Sequence, residues 1–438
     1  MKISLFQGIF VGAFVLAALV GLFVFATYTS TGGEGKVGTV VIWGTLPEDD
    51  FKVGLLEATK SDNTLRGVNY IEKSAGTLPG DLATAIATGK SPDLVLASQE
   101  ELVSLAPYIA PIPFSTLSVS AFSNAFANEG ALFTAPLEAG YYGIPLLIDP
   151  LVLFYNRAIL ESGGIVSPPA TWEALTGLVS HVATYTTTRQ ITRGLIALGT
   201  YDNVHDARGI LSALFLQTGA ALSTRSPATG EISPELGLTS REEDGLPPGQ
   251  AVLRFYTQFA DSSKVSYTWN ASLRDSQMAF SAGDLGLYLG YVSEARFLRE
   301  SSPNLDFDVA PLPQPGTATT KSTYGLAYAL MIPTGAKNAR GAYKAAVLLA
   351  DTPEQLALAK ATGLAPAAKD ALEAPTPSDP VATLAARSAL YADGWLSPAP
   401  AGTDEVFGAM ITDVITGRTN LQTALSTAER SLGALFER

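Results

Sequence analysis

The 438-residue chain has no cysteine, two histidines and four methionines. Without cysteine there is no disulfide framework, no thiolate metal site, no thiol nucleophile and no acylated cysteine anchor. His181 and His205 lack the HExxH spacing, so the chain offers no zinc ligand set. Each reads as an ordinary hydrogen-bonded or surface histidine. No GxSxG, P-loop or GxGxxG motif is present, which removes the common nucleophile and nucleotide signatures. The inventory calls for no cofactor and favours a binder over a catalyst. Carboxylates are still abundant, and a glycosidase pair stays open on inspection alone.

Positive charge is also scarce. Lys and Arg number 28 against 41 Asp and Glu, for a net charge of −13. Nucleic-acid binding needs basic grooves that displace counterions, so that partner class is excluded. A polybasic membrane face is excluded for the same reason. The simplest use of the charge is solubility. Hydrophobic residues make up 47% and charged residues 16%, which rules out a disordered chain. The length allows two domains and a large core.

Long apolar runs are absent with one exception. Ile9 to Ala26, "IFVGAFVLAALVGLFVFA", carries no charge across 18 residues and follows Lys2. It just reaches spanning length and exceeds a typical signal-peptide apolar core. We expect a single-pass anchor at 9–26, with residues 1–8 as a cytoplasmic stub. Val24 and Ala26 leave signal cleavage as the alternative, which would give a secreted or periplasmic protein. A Gly-, Ser- and Thr-rich linker at 27–37 follows, and the remainder is expected to be extracytoplasmic.

Beyond the linker, short apolar segments alternate with helical ones. Strands are expected at Thr39–Trp43, Pro92–Ala97, Gly194–Gly199, Asp284–Tyr291, Phe307–Pro313 and Tyr324–Pro333. Continuous apolar runs of this kind suit sheets covered on both faces. Ser98 with Glu101 reads as a capping box. Thr352 reads as an N-cap before Pro353, with Gly363 ending that helix, and Thr419 reads as a cap with Gln422 as its partner. The alternation predicts an α/β chain with mostly parallel sheets. Ser223–Gln250 is expected to be a long surface excursion, and Glu373–Pro380 a linker. The segment "GIPLLIDPLVLFYN" is unusual, because Asp149 and Pro150 interrupt its apolar run. A proline damages a central strand, so a break is expected there.

"YGIPLLIDPLVLFYNRAIL" followed by "SPPATWEAL" resembles the extracellular solute-binding proteins of ABC importers, in the maltodextrin-binding-protein-like group. There a Tyr-Gly-Ile-Pro strand leads into a Leu-Tyr-Tyr-Asn strand and a Pro-x-Thr-Trp helix start. "LATAIATGKSPDLVLAS", "MAFSAGDLGLYLGY", "GLAPAAKDAL" and "ITDVITGRTNLQTALSTAERSL" resemble further family segments in the same order. The resemblance covers roughly 37–435 and implies a two-domain type II clamshell with discontinuous domains. It places one lobe at 38–148 plus 328–372 and the other at 149–327 plus 373–438, crossing at Asp149-Pro150. It implies a small-molecule solute held between the lobes, favours a sugar, and makes permease subunits the partners. A sensing ectodomain without transport and a carbohydrate-active enzyme are the rival expectations.

Candidate ligand residues lie at strand ends or match family positions. Thr45 follows the first strand. Ser98 and Gln99 follow "PDLVLA" and open a helix whose N–H groups favour hydroxyls or anions. Tyr201 and Asn203 follow "GLIALG". By the resemblance, Asp149 sits at the crossover where an acid bonds sugar hydroxyls, and Tyr291 and Phe407 at aromatic platforms that stack on sugar faces. Asp404 precedes Phe407, and Tyr324 opens the return strand. Trp43, Tyr155 and Trp172 read as core aromatics.

Overall fold

The computed structural model describes residues 37–137, 139–226, 228–238, 245–374 and 379–437. The expected anchor at 9–26 lies outside the described residues. Among the described residues, no helix is long and apolar enough to cross a membrane.

The first strands are β1 (Val40–Gly44), β2 (Val68–Glu72) and β3 (Leu94–Ser98), followed by a small hairpin of β4 (Thr134–Ala135) and β5 (Gly140–Tyr141). Next come the long β6 (Gly143–Asn156), then β7 (Thr184–Tyr185), β8 (Ile191–Ile196) and a hairpin of β9 (Leu222–Arg225) and β10 (Ile232–Glu235). The last are β11 (Leu285–Tyr291), β12 (Phe307–Ala310), β13 (Thr323–Met331), β14 (Ala365–Pro366) and β15 (Ala392–Asp393). The main sheet runs β2-β1-β3-β13-β6-β11-β8-β7, with β12 and β14 also on β6 and β15 on β13.

Its flanks are parallel, as expected, in β1 with β2 and β3, and in β8 with β11. Its centre corrects the expectation. β13 is antiparallel to both β3 and β6, and β6 is antiparallel to β11 and β12. The chain passes through the middle once in each direction, so those neighbours must oppose each other.

The expected break at Asp149-Pro150 is a second correction. Gly143–Asn156 is one continuous strand, buried at every position except Tyr155. Burial on both faces explains why it reads as an apolar run rather than an alternation. Its partners change along its length. Gly143–Pro150 pairs with β13, while Leu151–Tyr155 pairs with β11. Pro150 falls where one ladder gives way to the next, so its missing N–H interrupts neither.

The edge of β13 is completed by a side chain. β3 covers Tyr328–Met331 and β15 covers Thr323–Tyr324. Between them, Gln99 Nε2 donates to the Gly325 carbonyl at 2.8 Å and the Ala327 N–H donates to Gln99 Oε1 at 2.7 Å. The fully buried amide stands in for a missing strand residue.

Two apolar clusters cover the sheet. One gathers Val40, Ile42, Phe51, Leu94, Ile144 and Leu330. The larger includes Phe154, Leu195, Phe215, Leu253, Phe280 and Leu287. Trp172 is buried as expected, whereas Trp43 and Tyr155 are only half-buried against the larger cluster. Lys73 Nζ lies 4.1 Å over the Trp43 ring.

Helix starts follow the sequence to within a residue. Ser98 and Glu101 form the expected capping box ahead of helix Gln99–Leu105. Thr352 lies inside its helix, and Asp351 precedes it as cap. The last long helix is capped by Asn420 rather than Thr419; its side chain accepts from the Thr423 N–H. The expected excursion at Ser223–Gln250 contains most of the β9–β10 hairpin.

Candidate functional site

Strand register brings two sets of carboxyl ends together. β3 ends with Ser98 opposite Tyr328, whose partner on β6 is Leu147. β11 ends with Tyr291 opposite Leu151. Both sets converge on the short step Leu147–Leu151, with Asp149 at its middle. In open α/β sheets this is where ligands bind.

A bidentate ion pair spans this point. Arg208, on helix Ala207–Gln217, donates through Nη2 to Glu100 Oε2 at 2.6 Å and through Nε to Oε1 at 3.1 Å. Its Nη1 reaches Asp404 and the Pro400 carbonyl. Tyr324 donates to Glu100 Oε1 at 2.6 Å, and Tyr201 donates to Asp404 Oδ1 at 2.6 Å. Burial alone would lower the Arg208 guanidinium, but the Glu100 carboxylate and then Asp404 outweigh it and hold it charged. Burial first, and then Glu100, pushes the Tyr324 phenol up. The Tyr291 hydroxyl closes against Gly209, where any Cβ would sit 2.5 Å from it. Only glycine permits that approach.

A second group lies beside the first. Asp149 accepts from the Ser293 N–H at 3.1 Å and the Ser293 hydroxyl at 2.6 Å. Burial raises its carboxyl to about 7 against those bonds, with Glu294 adding to the rise. Asp206 is raised by burial and then by Glu294; the Tyr288 hydroxyl donates to Glu294 and lies 3.5 Å from Asp206. Glu294 also accepts from the Tyr291 N–H at 2.8 Å.

Thus the structure gathers Tyr201, Tyr324 and Asp404 around one ion pair, with Asp149 and Tyr291 nearby. Thr45 follows β1, where its N–H donates to the Leu96 carbonyl at 3.1 Å. The other expected residues have structural duties. Ser98 caps its helix and Gln99 completes β13. Asn203 braces a loop, donating to the Asn270 and Leu273 carbonyls at 2.9 and 3.0 Å. Phe407 is fully buried between Trp395 and Phe215, which makes it core rather than platform. Glu100, Arg208 and Asp206 were missed. Glu100 directly follows the chosen Ser98-Gln99, and Arg208 is a lone cation opening an apolar helix; those were the available signals.

The histidines have ordinary partners. His205 faces Asp275 at 3.4 Å and His181 faces the Gly163 carbonyl at 3.3 Å. Among the described residues, no group of three or more His, Asp or Glu side chains is placed to hold a metal.

A further ion pair joins the two sets of strands from outside. Arg296, on the helix after β11, meets Asp50, on the helix after β1, at 2.7 Å and also donates to the Ala361 carbonyl. The arginine is half exposed, so Arg296→Ala should cost at most about 1 kcal/mol. Urea melts at low and high salt should show that small loss shrinking further as salt rises.

A model of bacterial extracellular solute-binding proteins matches residues 55–386. The chain belongs to that family. Its members are binding proteins, not enzymes, which removes the carbohydrate-active alternative. A protein of Brucella abortus (strain 2308) named as a binding protein is 21% identical to this one, over 89% of each chain. Among solved structures, the GacH receptor of Streptomyces glaucescens GLA.O superimposes with a TM-score of 0.68 at 17% identity. It covers 92% of this chain and 99% of its own, and its structures include an acarbose complex. The maltose/maltodextrin-binding domain of Bdellovibrio bacteriovorus, bound to maltotriose, gives 0.66 at 17% identity, over 91% of this chain and 100% of its own. At these identities the likeness shows the fold of the binding protein, an α/β periplasmic-binding-protein-like architecture.

Proposed function

We propose that this solute-binding protein captures a carbohydrate between two lobes and delivers it to an ABC importer, tethered by residues 9–26. The lobes are 38–148 plus 328–372 and 149–327 plus 373–438. The supporting observation is the convergence of strand ends on the step Leu147–Leu151, beside which Glu100 holds Arg208 and Tyr324 and Arg208 holds Asp404. Planar guanidinium, carboxylate and phenol groups in one place supply donors, acceptors and ring faces suited to sugars. Solute that touches both lobes favours the closed form, and the closed form is what a permease would recognise. The sugar complexes of the structural relatives agree with this reading.

The test is a thermal-shift and calorimetric panel of maltotriose, trehalose, glycerol and spermidine on residues 37–438. A sugar should raise the melting temperature, by about 2.7 kcal/mol of added stability at a hundredfold excess over Kd. Tyr291→Ala and Asp149→Asn should abolish that shift. Five carboxylates across the two neighbouring groups (Glu100 and Asp404 at Arg208, and Asp149, Asp206 and Glu294 beside them) favour one second reading, a cationic solute. A shift with spermidine and none with any sugar would establish that reading and remove the carbohydrate one.

A further inference from the structure

The opposite face of the crossing strands carries a separate cavity. Successive residues of a strand point to opposite faces. Tyr324 reaches Glu100 on the cleft side, so the next residue, Gly325, faces away from the cleft. A Cβ at Gly325 would lie 2.8 Å from the Glu129 carboxylate, and one at Gly394 would meet both Leu132 and Glu129. Gly394 and Leu132 help wall a cavity of about 450 Å³. That size suits a small organic molecule. Thr134 and its neighbours, which precede β6, form one wall, and Arg225 and Ser226 with Trp395 and Leu396 form the other. None of the residues grouped around Asp149 lines it.

Among the described residues, Arg225 is the only charged side chain in the lining. It donates to the Thr134 carbonyl, its Nε is buried without a partner, and it has no carboxylate within ion-pair distance among the described residues. Burial lowers this guanidinium, and the nearby Tyr142 phenol opposes that only in part. In a chain of net charge −13, a half-buried cation with no counter-charge among the described residues is costly unless something pairs with it. The surrounding surface is mostly apolar, with Phe114, Leu132 and Leu137 its more accessible members. We propose that this cavity is a second ligand site, distinct from the cleft, for a small amphipathic anion. The acid head pairs with Arg225 and the aromatic or aliphatic body packs on Phe114 and Leu132. Planar pairing of guanidinium with carboxylate, sulfonate or phosphate supplies the orientation.

The test uses 8-anilinonaphthalene-1-sulfonate as probe, titrated by fluorescence against the full chain. One probe should bind per chain. Arg225→Gln should weaken binding by about tenfold or more, the loss of one charge-assisted contact. Arg225→Lys, which keeps the charge but loses the planar fork, should bind more weakly than wild type and more tightly than Arg225→Gln. Ser226→Trp, which fills the mouth, should block the probe, and it decides the matter if Arg225→Gln does not fold. Wild-type affinity in a folded Arg225→Gln, or an unhindered probe in Ser226→Trp, would overturn the proposal.

Discussion

Arg208→Met should lower stability by about 3–5 kcal/mol in urea melts, the usual result of removing one partner from a buried ion pair. The cause is the residue left behind. The Glu100 side chain is 4% exposed and takes two guanidinium bonds. Without Arg208, its charge keeps only the Tyr324 hydroxyl for support. Asp404 is 46% exposed and can return to water, so it adds little to the loss. Removing the acid as well should restore much of the stability, since an apolar pair of similar volume replaces two desolvated charges. A single variant that melts like wild type would show that the pair contributes nothing to the folded state.

The second large effect concerns Glu129. Its carboxyl is 2% exposed, has no hydrogen-bond partner on either oxygen and lies near Asp393. Burial first, and Asp393 second, raises it from 4.5 to about 8. The folded form therefore holds the proton more tightly than the unfolded chain does. The stability this gives is complete below about pH 4.5 and is lost as pH rises through about 8. Within that window the loss approaches about 1.4 kcal/mol per pH unit. Wild-type melting temperature should fall between pH 5 and pH 8.5, and Glu129→Gln should fall less steeply. Asp149 and Glu101, each raised to about 7 by burial, act in the same direction and leave the variant a residual slope. Parallel curves for the two proteins would show that Glu129 is already ionised in the fold.

Local chemistry made much of this architecture readable. The Ser98–Glu101 capping box is spelled out by four neighbouring residues, and Gly363 ends its helix in the left-handed conformation the sequence implied. The oddity of Asp149-Pro150 correctly marked a special point. Its form was misjudged, because a strand can change partners without bending or ending. The site was less legible. Glu100 and Arg208 are 108 positions apart, and no local pattern announces a pair at that separation. Phe407 failed for a different reason: an aromatic on an amphipathic helix looks the same whether it faces core or solute. Gln99 was drawn to the site by its position at a strand end. Only the ladder shows that its amide is already committed to β13.

The order of synthesis gives the central strands one more consequence. β3 is complete at Ser98, yet its inner neighbour is β13, which ends at Met331. β6 must likewise wait for β13, and then for β14 at Ala365–Pro366. The earliest strands therefore spend most of translation without the neighbour that completes their sheet. Closing such distant pairings carries a high entropic cost, which delays folding until late. The sheet's centre can close only after the chain beyond Met331 has been made.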